Sequence, residues 1–150
     1  MHEFEELEQV VLNALAPLKD QGLKTLELYA GQAEAEDIEE LARMTLLFPC
    51  TYVVATGLAL VNKDRYDEEK IGIMVIIGDR NLRGSEAAKL GDTTSMGVYE
   101  ILEKTEGLLH RQKIHSAGIM LLRSAAPLYL APDKGLCFYA ARYEFKTIKS

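Results

Sequence analysis

The sequence predicts an α+β fold, a mainly antiparallel sheet with amphipathic helices packed on one of its faces. Three observations carry this. Apolar residues recur at three- and four-residue spacing near the N-terminus and again after residue 97, which is the period of a helix lying on a core. The stretches 51–55, 71–77 and 137–145 instead alternate at the period of two that a pleated strand imposes. The order helix, strand, short helix, strand pair, long helix, strand pair matches helices gathered on one side of a sheet.

Taken in order, Phe4, Leu7, Val11, Ala14, Leu15 and Leu18 form one helical stripe, and Glu3, Glu5, Glu6 and Glu8 place negative charge where the helix dipole favours it. Pro17 lacks an N–H and predicts a kink or an end, and Gly22 allows the turn into a strand over 23–30, in which Leu26 and Leu28 alternate with Glu27. Residues 34–44 predict a short helix, acid-rich at its start, with Ile38, Leu41 and Ala42 on one side. Beyond Pro49, the β-branched and aromatic run 51–55 continues past Gly57, which signals a bulge, into Leu58, Leu60 and Val61. The charged stretch 62–69 turns the chain back as a hairpin. Ile71, Ile73, Val75 and Ile77 share one strand face, and Met74 and Ile76 make the other apolar as well, so this strand is expected to be central. Residues 79–94 lack a period, carry Gly84 and Gly91, and read as a long surface excursion. Ser95 is then placed to cap a helix whose core side is Val98, Ile101, Leu102, Leu108 and Leu109. Two short apolar runs, 118–123 and 127–131, precede a turn at 132–135. The last strand puts Cys137, Tyr139, Ala141, Tyr143 and Phe145 on one face. Its other face passes from Leu136 and Phe138 to Arg142, Glu144 and Lys146, so burial there fades toward the C-terminus.

The run IIGDRNLRGSEAAKLGD followed by GVYEILEKTEGLLHRQ resembles the pattern of the tail-terminator and neck protein family of Mu-like contractile-tailed phages and prophages, in which an RNLRG-type loop precedes a helix of the form YxLLExxxxLL. The similarity extends back to LELYAGQ and FPCTYVVATG and forward to GLCFYAARYEFKT, in the same order and over most of the chain. The resemblance implies a non-enzymatic virion protein, a six-copy ring that closes the head-proximal end of the tail tube, stops its polymerisation and permits head joining. It implies as partners further copies of the chain, the tail-tube protein with the sheath beside it, and the head connector or neck proteins. The expected location is the tail or neck of the virion, and the host cytoplasm before assembly. A head-side connector or stopper of the same assembly is the alternative, and a small cytosolic enzyme or ligand-binding domain is the alternative of a different class.

A chain of 150 residues is long enough for one domain, 1–150, that buries roughly 68 to 70% of its unfolded surface without a metal or disulfide. With 17 basic and 23 acidic residues the net charge is −6, which disfavours a protein that gains affinity by neutralising phosphates. An acidic ring would instead let DNA pass through its lumen without sticking. Cys50 and Cys137 lie far apart inside apolar runs, with no CxxC spacing, and are expected as buried free thiols. The acidic N-terminus is unlike a signal peptide, and no run approaches the roughly 20 apolar residues that span a bilayer, so no membrane is expected as a partner.

No residue pattern points to catalysis, a metal or a cofactor. The glycine-bearing stretch 78–84 lacks the GxxxxGK[ST] spacing of a phosphate loop. His110 and His115 flank a helix end, where the dipole alone favours a cation. Glu34, Glu36, Asp37, Glu39 and Glu40 lack the ligand order of a calcium loop and read as a solvated helix face. Tyr139, Tyr143 and Phe145 read as core rather than as a base-stacking platform. The excursion 79–94 is longer than a strand-to-helix connection needs and is expected either to contact a neighbouring protein or to lie solvated on the surface. As a contact, its expected interface residues are Arg80 and Arg83, multi-donor groups suited to carboxylates, together with Asn81, Lys89 and Asp92.

Overall fold

A computed structural model describes residues 3–29, 48–80, 89, 97–115, 118–131 and 135–149. The elements are α1 (Glu3–Leu15), a 3-10 turn (Ala16–Gln21), β1 (Thr25–Leu28), β2 (Cys50–Asn62), β3 (Asp67–Arg80), α2 (Val98–Leu109), β4 (Ile119–Ala131) and β5 (Leu136–Lys149). The strands form one five-stranded sheet in the order β1-β2-β3-β5-β4, antiparallel except for the β1–β2 pair. The fold is thus α+β, and β3 is central as its two apolar faces predict.

The helix-side core is built by the residues whose spacing predicts it. Leu7, Val11 and Leu15 of α1, with Leu18 of the 3-10 turn, meet Val53, Ile71, Ile73, Val75 and Ile77 of the sheet. From α2 come Val98, Ile101 and Leu109, and from β5 Cys137, Ala141, Tyr143 and Phe145. Pro17 stands at the start of the 3-10 turn, where its missing N–H costs nothing, and Gly22 ends it at φ 116, a left-handed conformation that favours glycine. The Glu8 carboxylate accepts the N–H of Ala55 at 2.9 Å and ties α1 to the edge of β2.

A smaller cluster occupies one end of the opposite sheet face: Phe48, Cys50, Tyr52, Ile76, Ala131, Leu136 and Phe138. The ring of Phe138 meets that of Phe48 edge-on at 6.0 Å and passes over Gly78, where a Cβ would overlap it. Toward the other end this face turns charged, as the fading alternation of β5 predicts. Glu68 lies 2.9 Å from Lys146 and 3.7 Å from Lys70, and Arg123 lies 2.9 Å from Glu144. The hydrogen bond from Lys146 holds Glu68 below its usual carboxylate range.

Four expectations need correction. Asp79 and Arg80 belong to β3, not to a loop, because the ladder to Cys137 and Leu136 carries the strand that far. The runs 118–123 and 127–131 are one strand, β4, bulged between Leu122 and Ser124 and between Pro127 and Tyr129; as an edge strand it tolerates Pro127. The cap of α2 is Gly97 and not Ser95, and no side chain bonds there. β1 is shorter than 23–30, and its buried side chain is Thr25 while Leu28 is exposed. His110 is the C-cap of α2, as its place at the helix end predicts, and its Nδ1 also accepts the N–H of Leu122 at 2.9 Å. The short helix expected over 34–44 and the acidic side chains on it lie outside the described residues.

Candidate assembly surface

Of the five expected interface residues, two are described. Arg80 closes β3 opposite Leu136, and its N–H is bound by the carboxylate of Asp79 at 2.8 Å. Asp79 itself is buried opposite Cys137. Lys89 is half-buried, and its charge acts on the Cys137 thiol, which places it by the same end of the sheet. Asn81, Arg83 and Asp92 lie outside the described residues. Arg80 and Lys89 therefore gather where β3 ends and β5 begins.

The two cysteines are buried free thiols. Burial pushes Cys50 up to about 12 and Cys137 up to about 11, with the Lys89 charge partly offsetting the second shift. Neither thiol is suited to nucleophilic work, which needs the thiolate. Among the described residues no group of three or more His, Cys, Asp or Glu side chains is placed to hold a metal ion. No helix among them is long and apolar enough to cross a membrane.

A groove of about 270 Å³ opens on the helix side beside β4, between α2 and the sheet. Leu122, Ala125, Ala141 and Tyr143 lie on its sheet side, and Tyr99, Leu102, Glu103 and Glu106 on its helix side. Tyr99 is held by Tyr139, ring against ring edge-on at 5.5 Å and hydroxyl to hydroxyl at 3.1 Å. That hydrogen bond, with some burial, pushes Tyr139 up to about 12. The groove presents aliphatic and aromatic wall with carboxylates at its mouth, a surface for a polypeptide segment rather than a set of converging catalytic groups.

Large apolar side chains are exposed on the sheet margins as well: Leu58 and Leu60 on β2, Leu128 and Leu130 on β4. Sequence reasoning places Leu58 and Leu60 in a strand but does not find them exposed, because their period of two is that of a buried face. β1 pairs with β2 only from Cys50 to Val53, so no strand among the described residues lies beside Leu58 and Leu60, and pairing extent leaves no local mark in the sequence.

Among curated proteins, no match to the chain is found. The family model described as Bacteriophage Mu, Gp37 matches residues 4–147, from the first turn of α1 to the end of β5, and the chain belongs to this bacteriophage Mu Gp37 family.

Proposed function

We propose that this phage protein is a tail terminator, a ring of copies that caps the head-proximal end of the tail tube, stops its growth and offers the head connector a surface to join. The observation that carries the reading is the family match over 4–147, which takes in every segment of the tail-terminator resemblance in its order. The physical surface supports it. Exposed apolar side chains on strand margins favour association with protein, and a net charge of −6 suits a lumen that DNA passes without binding. The work is geometric: ring closure leaves no free protomer edge, so the tube finds a finished surface and not another growing end.

In this reading Arg80, Asn81, Arg83, Lys89 and Asp92 are the residues that contact the tube protein or a neighbouring copy. Size-exclusion chromatography of Arg80→Ala/Arg83→Ala, with and without purified tail-tube protein, tests their part. The expected result is loss of the ring or of its complex with tube protein, with an unchanged circular dichroism spectrum. An unchanged elution profile in both mixtures would remove these arginines from the interface.

A further inference from the structure

Among the described residues the sheet has two open margins, on opposite sides and toward opposite ends. On one side β1 stops covering β2 at Val53, and Glu8 takes the N–H of Ala55; from Thr56 to Asn62 no strand among the described residues lies beyond β2. On the other side, the start of β4 is covered by bonds from Arg111 N to Met120 O at 2.6 Å, from Met120 N to Gln112 O at 3.2 Å and from Leu122 N to the His110 ring at 2.9 Å. Beyond Leu122 no strand among the described residues covers β4.

The β2 margin carries no charged side chain, and the one on the β4 margin, Arg123, is paired with Glu144 at 2.9 Å. Strand edges of monomeric proteins commonly carry lysines, inward-pointing charges or prolines that prevent pairing. Here 56–62 reads TGLALVN and 124–131 reads SAAPLYLA, and Pro127 withholds one donor without adding charge. The exposed apolar side chains fall on these stretches: Leu58 is 42% and Leu60 54% exposed, Leu128 42% and Leu130 40%. Leu58 and Leu60 are the register partners of Ile71 and Glu69, and cross-strand partners point to the same side of a sheet. Ile71 is part of the helix-side core, so both leucines face the helix side, and the groove beside β4 is on that side too.

We propose, resting on the ring reading above, that the open margin of β2 in one copy adds to the open margin of β4 in the next, seating Leu58 and Leu60 in the groove under α2. The partner is a second copy because each margin supplies what the other lacks: free ladder against free ladder, an apolar stripe against an apolar groove. Charge agrees with this. The turn after β2 carries Lys63 and Arg65, exposed and longer than the Asp64 and Asp67 that share the turn, and Glu103 and Glu106 stand at the mouth of the groove. The contact is head-to-tail, so each added copy presents a new free margin of each kind until the last one meets the first.

Two variants separate the halves of the contact. Leu58→Lys/Leu60→Lys charges the β2 margin, and Ala125→Lys/Leu128→Lys charges the β4 margin and the groove floor. All four side chains are exposed, so circular dichroism melts should stay within a few degrees of wild type. By native mass spectrometry in the presence of purified tail-tube protein, wild type is expected as a ring and each variant alone as a monomer. An equimolar mixture of the two should give a 1:1 dimer, joined through the intact β4 margin of the first and the intact β2 margin of the second. A second test leaves the apolar contacts alone: Glu103→Lys/Glu106→Lys should lose the ring, and adding Lys63→Glu/Arg65→Glu should restore it. A ring that survives in either lysine variant, or a mixture with no dimer, overturns the edge pairing. A survival result leaves the ring itself standing, whereas wild type that is monomeric with and without tube protein overturns both readings.

Discussion

Cys50 and Cys137 show how burial turns reactive residue types into packing. Their thiols ionise near 9 in the unfolded chain, but in the folded protein burial pushes them to about 12 and about 11, and Tyr52 and Tyr143 are likewise raised, again by burial first. A raised folded value means that the native state holds its proton longer. The stabilisation is complete below pH 9 and is lost as the pH rises toward about 12. Thermal melts between neutral pH and the alkaline range are expected to be level up to about pH 9 and to fall above it. Cys50→Ala should make that decline shallower, and a melting temperature that stays level through pH 11 in wild type would contradict the assignment. His110 is a second case. Its ring accepts a backbone N–H from β4, so His110→Ala orphans that donor and should cost about 1–3 kcal/mol in urea unfolding, with binding to partners unchanged.

At the scale of elements, β3 and β5 were legible because a strand buried on both faces or on one writes its burial into a period of two. Ile71 to Ile77 and Cys137 to Phe145 did so without interruption. β4 was not legible as one strand. Arg123, Ser124 and Pro127 break its apolar run, and only its place at the edge of the sheet makes both the bulges and the proline tolerable. Asp79 and Arg80 carry no strand signal for a related reason: they are charged, yet their partners Cys137 and Leu136 keep them in the ladder. The interface residues read from the 79–94 stretch rest on loop length and residue type, and the open margins of β2 and β4 depend on where neighbouring strands stop, which no local pattern records. Packing against the sheet gives expected costs. Leu15, fully buried between α1 and the sheet, should lose about 2–5 kcal/mol on Leu15→Ala. Gly78→Ala would drive a methyl group into the Phe138 ring and should cost about 1–3 kcal/mol, because the ring is wedged against Phe48. A Gly78→Ala variant with wild-type stability would mean that the smaller cluster yields more readily than its packing implies.

For the whole molecule, the layers differ in charge. The α1 helix carries Glu3, Glu5, Glu6 and Glu8 without a basic residue, and α2 adds Glu100, Glu103 and Glu106 against Lys104 alone. The outer sheet face mixes Glu68 and Glu144 with Lys70, Lys146, Arg123 and Arg142. In the proposed ring, the two largely apolar sheet margins join neighbouring copies, and the acidic helical layer and charged sheet back are left for the lumen, the tube and the connector. Membership of the bacteriophage Mu Gp37 family gives this arrangement its setting, and the terminator reading gives it a task. The most direct test is the length distribution of tail tubes grown from purified tube protein and imaged by electron microscopy, with this protein added during growth. The expected result is that tubes stop shorter as more protein is added, each carrying a ring of constant size at one end. Tubes of unchanged length with bare ends, at protein concentrations well above those of tube ends, would contradict it.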